Sequence, residues 1–202
     1  MVRIAVFVSG GGTNLQSLID YQNENKLTNG KIVLVVSNKK DAYGLERARK
    51  NNIKTLYTRQ EEKIINALKE NEVDLIVLAG YLAIISENLI NMYENKIINI
   101  HPSLIPSFCG PGYYGIHVHN EAFNRGVKVS GATVHFVSKV VDGGPIILQE
   151  AIDISDCKSP EEIQQKVLLN VEHSILPKAV KLYCENKLKV ENGRVEIIWK
   201  EL

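Results

Sequence analysis

Two polar side chains interrupt an apolar run in the stretch IINIHPSLIP, residues 97–106. Asn99 and His101 stand two positions apart, so they point to the same side of an extended strand. An imidazole can move a proton near neutral pH, and an asparagine amide can donate a hydrogen bond to a developing oxyanion. At a strand end facing a cavity, the pair would suit transfer of a carbonyl carbon through a tetrahedral intermediate. Inside a core, the two side chains would instead satisfy each other and the backbone.

A carboxylate that could orient the imidazole is found in the turn VVDGGP, where two glycines follow Asp142. The glycines allow a close approach of the backbone, and a carboxylate beside a histidine favours the imidazolium. The sequence has no G-x-S-x-G serine elbow and no cysteine placed for covalent chemistry. We therefore expect direct attack by a substrate amine, with Asp142 beside His101.

A glycine-rich loop, SGGGTNLQ at residues 9–16, follows the first apolar run and opens a helical segment. Glycines let backbone amides converge, and Thr13 and Asn14 are good helix caps, so this helix end suits an anion. Leu15 stands where a dinucleotide fingerprint needs its third glycine, and no Gly-Lys-Ser/Thr follows as in a P-loop. The pattern favours a terminal phosphate monoester; the alternative is a turn that only packs the helix on the sheet.

The other histidines have simpler interpretations. His117 and His119 could join His101 around a metal, but His-x-His in a helix does not put both rings on one face, and no Cys or carboxylate cluster supports them. No metal site is predicted. His135 is predicted to be a hydrogen-bonded structural residue of a strand. Glu172 lies in a long helix, either on a solvated face or in contact with a cationic ligand.

Short β-branched runs alternate with segments of helical period over the first 95 residues. The runs are RIAVFVSG, KIVLVVSN, IKTLYT and VDLIVLAGY, and the helical segments begin TNLQSLID, AYGLERAR, EEKIINAL and SENLINMY. This alternation predicts an α/β fold with a mainly parallel, doubly wound sheet, whose ligands gather at the carboxyl ends of the strands. IINIH would be the fifth strand.

The second half predicts an antiparallel part. Residues 103–115 hold two prolines and three glycines and should form a loop over the strand end. We expect a short helix IHVHNEAFNRG, strands VSGATVHFVSK and GPIILQEAIDI, a long helix from about Ser159 to Asn186, and a hairpin turning at Asn192-Gly193. One domain is predicted over residues 1–202, with a phosphate-binding half at 1–95 and a catalytic half at 96–202.

Composition describes an ordinary globular protein of 202 residues with 45% hydrophobic residues, 23% charged residues and a formal net charge of +1. These values argue against a basic nucleic-acid binder and an acidic disordered chain. Three cysteines without a Cys-x-x-Cys pair indicate a reducing compartment, and the first apolar run is too short for a signal peptide or a membrane span. We predict a cytoplasmic protein without nucleic-acid or membrane partners.

Taken together, several separated motifs resemble the phosphoribosylglycinamide formyltransferases, within the folate-dependent formyltransferase family. The motifs are SGGGTNLQ, SNKKDAYGLERAR, VLAGYL, INIHPSLIP, GATVHFV, VDGGPIILQ and VEHSILPKAV, and they span almost the whole chain. The resemblance implies a Rossmann-like formyltransferase fold. It also implies transfer of the formyl group of 10-formyltetrahydrofolate to the amine of 5'-phosphoribosylglycinamide in purine biosynthesis. We predict a monomer or homodimer that uses no metal.

The resemblance also assigns roles to individual residues. Asn99, His101 and Asp142 would be catalytic. The ribotide would be bound by Gly11, Gly12, Thr13, Asn14 and Glu172. The folate would contact Leu82, Ala83, Ile84, Ile85, Asn99, Ser138, Lys139, Val140, Val141 and Asp142, and we add Arg59 as a candidate contact that the resemblance does not supply.

Two departures from the family pattern concern the folate site and the loop. Ala83 stands where familiar members carry an arginine, which Arg59 could replace, and the loop before His117 is longer than the usual compact type. A formyltetrahydrofolate hydrolase and a non-enzymatic nucleotide-binding regulatory module are the alternatives. Methionyl-tRNA formyltransferase shares the His-Pro-Ser motif but has a further C-terminal domain, and the hydrolase has a further N-terminal domain; we expect neither domain in this chain.

Overall fold

The structure, a computed structural model, describes residues 1–198. The strands are β1 (Val2–Val8), β2 (Gly30–Ser37), β3 (Lys54–Tyr57), β4 (Leu75–Leu78), β5 (Ile97–His101), β6 (Val129–Phe136), β7 (Ile146–Asp153), β8 (Leu188–Glu191) and β9 (Arg194–Ile197). The α-helices are α1 (Thr13–Asn23), α2 (Tyr43–Lys50), α3 (Glu61–Glu70), α4 (Glu87–Met92), α5 (Ile116–Asn124), α6 (Pro160–Val167) and α7 (His173–Cys184). The predicted alternation of strands and helices in the first half is confirmed.

A seven-stranded sheet in the order β3-β2-β1-β4-β5-β6-β7 forms the centre of the fold. The first five strands pair in parallel, whereas β6 and β7 are antiparallel to their neighbours. The chain reverses its direction of winding between β1 and β4, and this switch point is where open α/β sheets bind ligands. The predicted fold class, an α/β sheet with an antiparallel C-terminal part, is confirmed.

Each face of the sheet is covered by its own layer of helices. Side chains alternate along β1, so Ile4, Val6 and Val8 join the core that contains α1 and α7, whereas Ala5 and Phe7 join the core that contains α3 and α4. All five side chains are fully buried. A parallel strand covered on both faces is apolar at every position, as the run IAVFV at residues 4–8 is.

The predicted long helix after Ser159 is not continuous. Ser159 caps α6 through its hydroxyl, which accepts a hydrogen bond from the amide of Glu162, and Pro160 occupies the first turn. A π-helical turn at Leu168–Glu172 then separates α6 from α7. Pro177 lies inside α7 and cannot donate to the carbonyl four residues earlier, that of His173. The first turn of α7 therefore lacks one of the hydrogen bonds that favour regular α-helical winding next to the π turn.

Two predicted irregular features are confirmed. Strands β8 and β9 form a separate hairpin, and its turn residues Asn192 and Gly193 have φ angles of 49° and 73°, as a type I′ turn requires. Residues 103–115 contain no helix or strand and lead from the end of β5 into α5. Within residues 1–198, no helix has the length and apolar character needed to cross a bilayer.

Candidate active site

A cavity of about 640 Å³ lies at the carboxyl ends of β1, β4 and β5. The loop after β4 closes against the loop after β1, because the amide of Ser9 donates to the carbonyl of Gly80 at 3.0 Å. The amide of Leu82 donates to the hydroxyl of Ser9 at 2.8 Å. Asn99 and His101 line this cavity from the end of β5, so the strand-end interpretation of these residues is correct.

The side chain of Asn99 has its closest polar partner across the sheet. Asn99 pairs with His135 of β6, and its Nδ2 lies 3.1 Å from Nε2 of that histidine. Nδ1 of His135 lies 2.8 Å from the carbonyl of Phe136, which can only accept a hydrogen bond, so Nδ1 carries a proton. In the neutral ring Nε2 is then the acceptor, and Asn99 donates to it. Asn99 thus keeps its side-chain oxygen and one amide hydrogen for other partners.

His101 is buried, with 4% of its surface exposed. Its Nε2 donates to the carbonyl of Phe108 at 2.9 Å, and its Nδ1 lies 3.6 Å from Oδ2 of Asp142. Burial lowers the pKa of His101; Asp142 and the Phe108 carbonyl raise it but do not outweigh the burial. The expectation that Asp142 keeps His101 charged is therefore wrong for the resting site. The carboxylate acts in the predicted direction, but desolvation is the larger effect.

Asp142 is brought into the site by a turn that only glycine permits. Asp142 has a φ of 54°, and a Cβ on Gly144 would lie 1.8 Å from the carbonyl oxygen of Phe136. The carboxylate accepts a hydrogen bond from the amide of Gly110 at 2.8 Å, and its other oxygen lies 3.7 Å from Nε2 of His135. Burial alone would raise the pKa of Asp142, but His135 and His101, through the proton and charge that each ring can carry, and the Gly110 amide lower it below its ordinary value.

Two further histidines differ in their surroundings. His119 is 1% exposed and lines the cavity, and its Nδ1 has no hydrogen-bond partner among residues 1–198. Burial and the neighbouring His101 lower the pKa of His119 to about 4, so the ring is neutral at physiological pH. His117 is exposed and packs edge-on against Tyr114. Among the described residues, no three His, Cys, Asp or Glu side chains are grouped as metal ligands.

The glycine loop reaches the cavity at the start of α1. Gly12 is the N-cap with a φ of 69°, and no side chain caps the helix, so the expectation that Thr13 and Asn14 act as caps is wrong. Thr13 and Asn14 are the first residues of the helix and line the cavity; Gly11 and Gly12 lie next to them but outside the lining. The first turn of α1 is thus left with backbone amides that no side chain satisfies, as an anion site requires.

Glu172 lies at the end of the π-helical turn, facing the same cavity. It is 6% exposed, so a position on a solvated helix face is excluded. Its Oε2 accepts a hydrogen bond from Nδ2 of Asn14 at 2.7 Å. Burial raises the pKa of Glu172 to about 7, although the bond from Asn14 opposes the change. Asn14 and Glu172, distant in sequence, therefore form one polar wall of the cavity.

The segments predicted for the folate form another wall, which is mainly apolar. Ile84 and Val140 are 89% and 68% exposed, which is unusual for such side chains unless a ligand covers them. The predicted folate residues in this wall are Leu82, Ala83, Ile84, Ile85, Ser138, Lys139, Val140, Val141 and Asp142. Arg59 does not line the cavity; its Nε donates to the carbonyl of Asn38 at the end of β2.

Residues 2–180 of the chain match the formyl transferase family. The chain is 36% identical to phosphoribosylglycinamide formyltransferase of Escherichia coli K12, over 95% of this chain and 92% of that protein. The crystal structure of glycinamide ribonucleotide transformylase 1 from Symbiobacterium toebii superimposes with a TM-score of 0.90 at 38% identity, covering 98% of this chain and 94% of that one. The chain belongs to the phosphoribosylglycinamide formyltransferase family.

A formyltetrahydrofolate deformylase from Pseudomonas syringae has a similar fold, with a TM-score of 0.87. It is 25% identical, and the match covers 97% of this chain and 65% of the deformylase. The formyltransferase therefore resembles the transferases more closely than it resembles this hydrolase. Its predicted family membership is confirmed.

His135 is the site residue whose position the sequence left undetermined. It was expected to be a hydrogen-bonded strand residue, and it is, but it also contacts Asn99 and approaches Asp142. Alternation along VSGATVHFVSK puts His135 and Thr133 on one face, yet only the register of β6 against β5 brings His135 opposite Asn99.

Proposed function

We propose that this formyltransferase transfers the formyl group of 10-formyltetrahydrofolate to the amine of 5'-phosphoribosylglycinamide, with Asn99, His101 and Asp142 as its catalytic residues. The observation that carries the proposal is the convergence of these three side chains in one cavity. The same cavity has an anion-binding helix end on one side and an exposed apolar wall on another. Its walls thus match a phosphorylated amine and a large aromatic formyl donor.

The ribotide is assigned to the wall formed by the glycine loop and Glu172. The phosphate would accept hydrogen bonds from the amides of Gly11, Gly12, Thr13 and Asn14, where the positive end of the α1 dipole adds to the attraction. Oε2 of Glu172 accepts the hydrogen bond from Asn14, which leaves the second carboxyl oxygen for the glycinamide or ribose portion. This arrangement would direct the amine toward the end of β5.

The folate is assigned to the wall made of residues 82–85 and 138–142. Leu82, Ile84, Val140 and Val141 are all exposed and apolar, and a folate ring between the two segments would remove them from water. Ala83 has no positive charge to offer the folate, whereas familiar family members carry an arginine at this position. Arg59, the candidate replacement for the missing cation, lies outside the cavity lining, and its Nε donates to the carbonyl of Asn38.

The chemistry follows from the protonation states of the site. The nitrogen–carbon bond to the amine forms, the bond from the formyl carbon to the folate nitrogen breaks, and one proton moves from the former nitrogen to the latter. A neutral His101, favoured by its lowered pKa, can accept this proton and return it. Asp142 stabilises the imidazolium in between, and Asn99 donates to the oxyanion of the tetrahedral intermediate.

Hydrolysis of the formyl donor is the second candidate, favoured by the likeness to the deformylase. A hydrolase uses water in place of the amine and therefore does not need the Asn14–Glu172 wall, which is assigned to the ribotide. Purified protein should be assayed for formyl transfer while the donor and the ribotide are omitted in turn. Product formation that requires both substrates is expected; release of formate at the same rate without ribotide would replace the transferase assignment with the hydrolase.

We propose catalysis without a metal by a monomer or homodimer in the cytoplasm, acting on small molecules and not on nucleic acid or membranes. None of the three cysteines is in a disulfide, which suits a reducing compartment. Metal content and mass of the purified protein in solution test the first two statements.

A further inference from the structure

We propose that Arg47 of α2 is a positioning residue that holds the glycine loop in the conformation that binds the ribotide phosphate. The inference rests on the proposed function, because it takes the phosphate to be the ligand of this loop. It assigns a role in substrate binding to a residue that lies on a neighbouring helix and outside the cavity lining.

Arg47 makes two hydrogen bonds to the loop and to the first turn of α1. Its Nε donates to the carbonyl of Gly11 at 2.7 Å, and its Nη1 donates to Oε1 of Gln16 at 3.1 Å. The Gln16 side chain is in turn fixed, because its Nε2 donates to Asp20 at 2.8 Å. The guanidinium also lies over the ring of Tyr43, 5.0 Å from its centroid. The side chain is therefore held on three sides.

The beginning of α2 supports the same loop through its backbone. The amide of Gly44 donates to the carbonyl of Gly10 at 3.0 Å. A Cβ on Gly12 would lie 2.7 Å from Cα of Gly44, so the two glycines are in direct backbone contact. Helix α2 thus engages the carbonyls of two consecutive loop residues, Gly10 through Gly44 and Gly11 through Arg47.

The direction of these carbonyls fixes the direction of the amides that follow them. In a planar trans peptide the C=O and the next N–H point in opposite directions. Because the carbonyls of Gly10 and Gly11 point toward α2, the amides of Gly11 and Gly12 point away from it. Arg47 also places a positive charge behind the loop, which adds to the potential at the start of α1. The loop amides are therefore oriented for hydrogen bonds to an anion before the anion binds.

Asn14 gives an independent indication that a ligand binds here. It is 7% exposed, lines the cavity at the first turn of α1, and its Oδ1 has no hydrogen-bond partner within residues 1–198. An unpaired buried acceptor costs free energy unless a ligand or water donates to it. A hydroxyl of a sugar phosphate bound at the glycine loop would supply that donor.

The test compares Arg47→Met and Arg47→Lys with Arg49→Met, a control on the same helix whose guanidinium pairs with Glu46 at the surface. Ribose 5-phosphate is the binding probe, measured by calorimetry, and formyl transfer is measured with both substrates varied. We expect Arg47→Met to weaken ribose 5-phosphate binding and raise the ribotide KM by about tenfold or more, with the folate KM and kcat within about twofold. Arg49→Met should match the wild type.

Arg47→Lys separates positioning from charge. Lysine keeps the positive charge but cannot bridge Gly11 and Gln16 with a rigid fork, so we expect it to lose most of the affinity as well. A Lys variant that binds ribose 5-phosphate as tightly as the wild type would overturn the positioning role. So would a folded Met variant with unchanged affinity, or equal increases in both KM values. If the Met variant does not fold, the ribose 5-phosphate affinity of the Lys variant decides the test.

The binding assay keeps this inference distinct from the proposed function. A wild-type protein that transfers no formyl group, but whose ribose 5-phosphate binding depends on Arg47, would remove the proposed function and retain the inference. A wild-type protein that transfers the formyl group, together with an Arg47→Met variant of normal ribotide KM, would retain the function and remove the inference.

Discussion

Nδ1 of His101 and Oδ2 of Asp142 are 3.6 Å apart, and both side chains are more than nine-tenths buried. This separation is too long for a hydrogen bond, so the carboxylate influences His101 through its own charge. Burial keeps the imidazole neutral while the carboxylate opposes that effect. The arrangement suits a base that takes up a proton only when the attacking amine supplies one.

Asp142→Asn should lower the pKa of His101 further and reduce kcat by about 10²-fold or more. The reason is that the carboxylate is the main group opposing the burial of His101. NMR titration of His101 measures the first effect, with Asp156→Asn, a surface carboxylate paired with Lys166, as the control. A double variant with His101→Ala should lose much less than the product of the single losses; independent losses would contradict a shared role.

Asn99→Ala should reduce kcat by about 10²- to 10³-fold with little change in the ribotide KM, the usual cost of removing an oxyanion donor. Asn99 is held by His135 at the end of β5, away from the glycine loop, so phosphate binding should not depend on it. Steady-state kinetics with each substrate varied gives both constants. An effect confined to the ribotide KM would assign Asn99 to ground-state binding.

Gly12→Ala should raise the ribotide KM far more than the folate KM, and Gly12→Val should raise it further. A side chain at Gly12 would lie against Cα of Gly44 and would require a φ of 69°, so the loop must move. Gly10→Ala is the comparison, since its Cβ would meet no atom within 4 Å. Equal changes in both KM values would argue against a phosphate at this loop.

Glu172→Gln should stabilise the protein at pH 8 relative to the wild type, but not at pH 4.5. The folded-state pKa of about 7 lies above the ordinary value of 4.5, so the folded protein binds this proton more tightly than the unfolded chain does. The wild type therefore loses stability as pH rises from about 4.5 to 7, and the loss persists above 7. Urea unfolding at several pH values measures the difference.

The same variant should raise the ribotide KM, because Glu172 is the assigned ribotide contact opposite Asn14. Glu161→Gln, at an exposed position of α6, is the matched control for both measurements. A stability difference between Glu172→Gln and the wild type that does not vary with pH would show that the carboxyl is not responsible.

The loop at 103–115 should be cut by proteases more slowly when both substrates are bound. The loop is attached to the proposed catalytic pair through the bond from His101 to the carbonyl of Phe108 and the bond from Gly110 to Asp142. Ligands that stabilise the pair should therefore stabilise the loop, whereas Asp142→Ala should accelerate cleavage. Limited proteolysis followed by mass spectrometry identifies the cut sites; rates that do not respond to ligands would disprove the coupling.

The sequence by itself determined the order of strands and helices, the parallel sheet and the residues at its carboxyl edge. These features depend on local patterns: apolar runs of β-branched residues, helical periodicity, and glycines at the ends of strands. Asn99 and His101 were identified in this way, because two polar residues that stand two positions apart in an apolar strand point to the same side of it. The residues alone suggested Asp142 as a partner of His101 and left Glu172 with two interpretations, and the family resemblance assigned both to the proposed site.

Only the tertiary structure decided which of these residues meet and what state they are in. Strand register brought His135 opposite Asn99, and a π-helical turn brought Glu172 to Asn14. Neither distance can be read from local sequence, since register and helix defects depend on packing between distant segments. The charge of His101 likewise depends on burial, which the sequence does not specify: desolvation by the surrounding fold outweighs the effect of the Asp142 carboxylate.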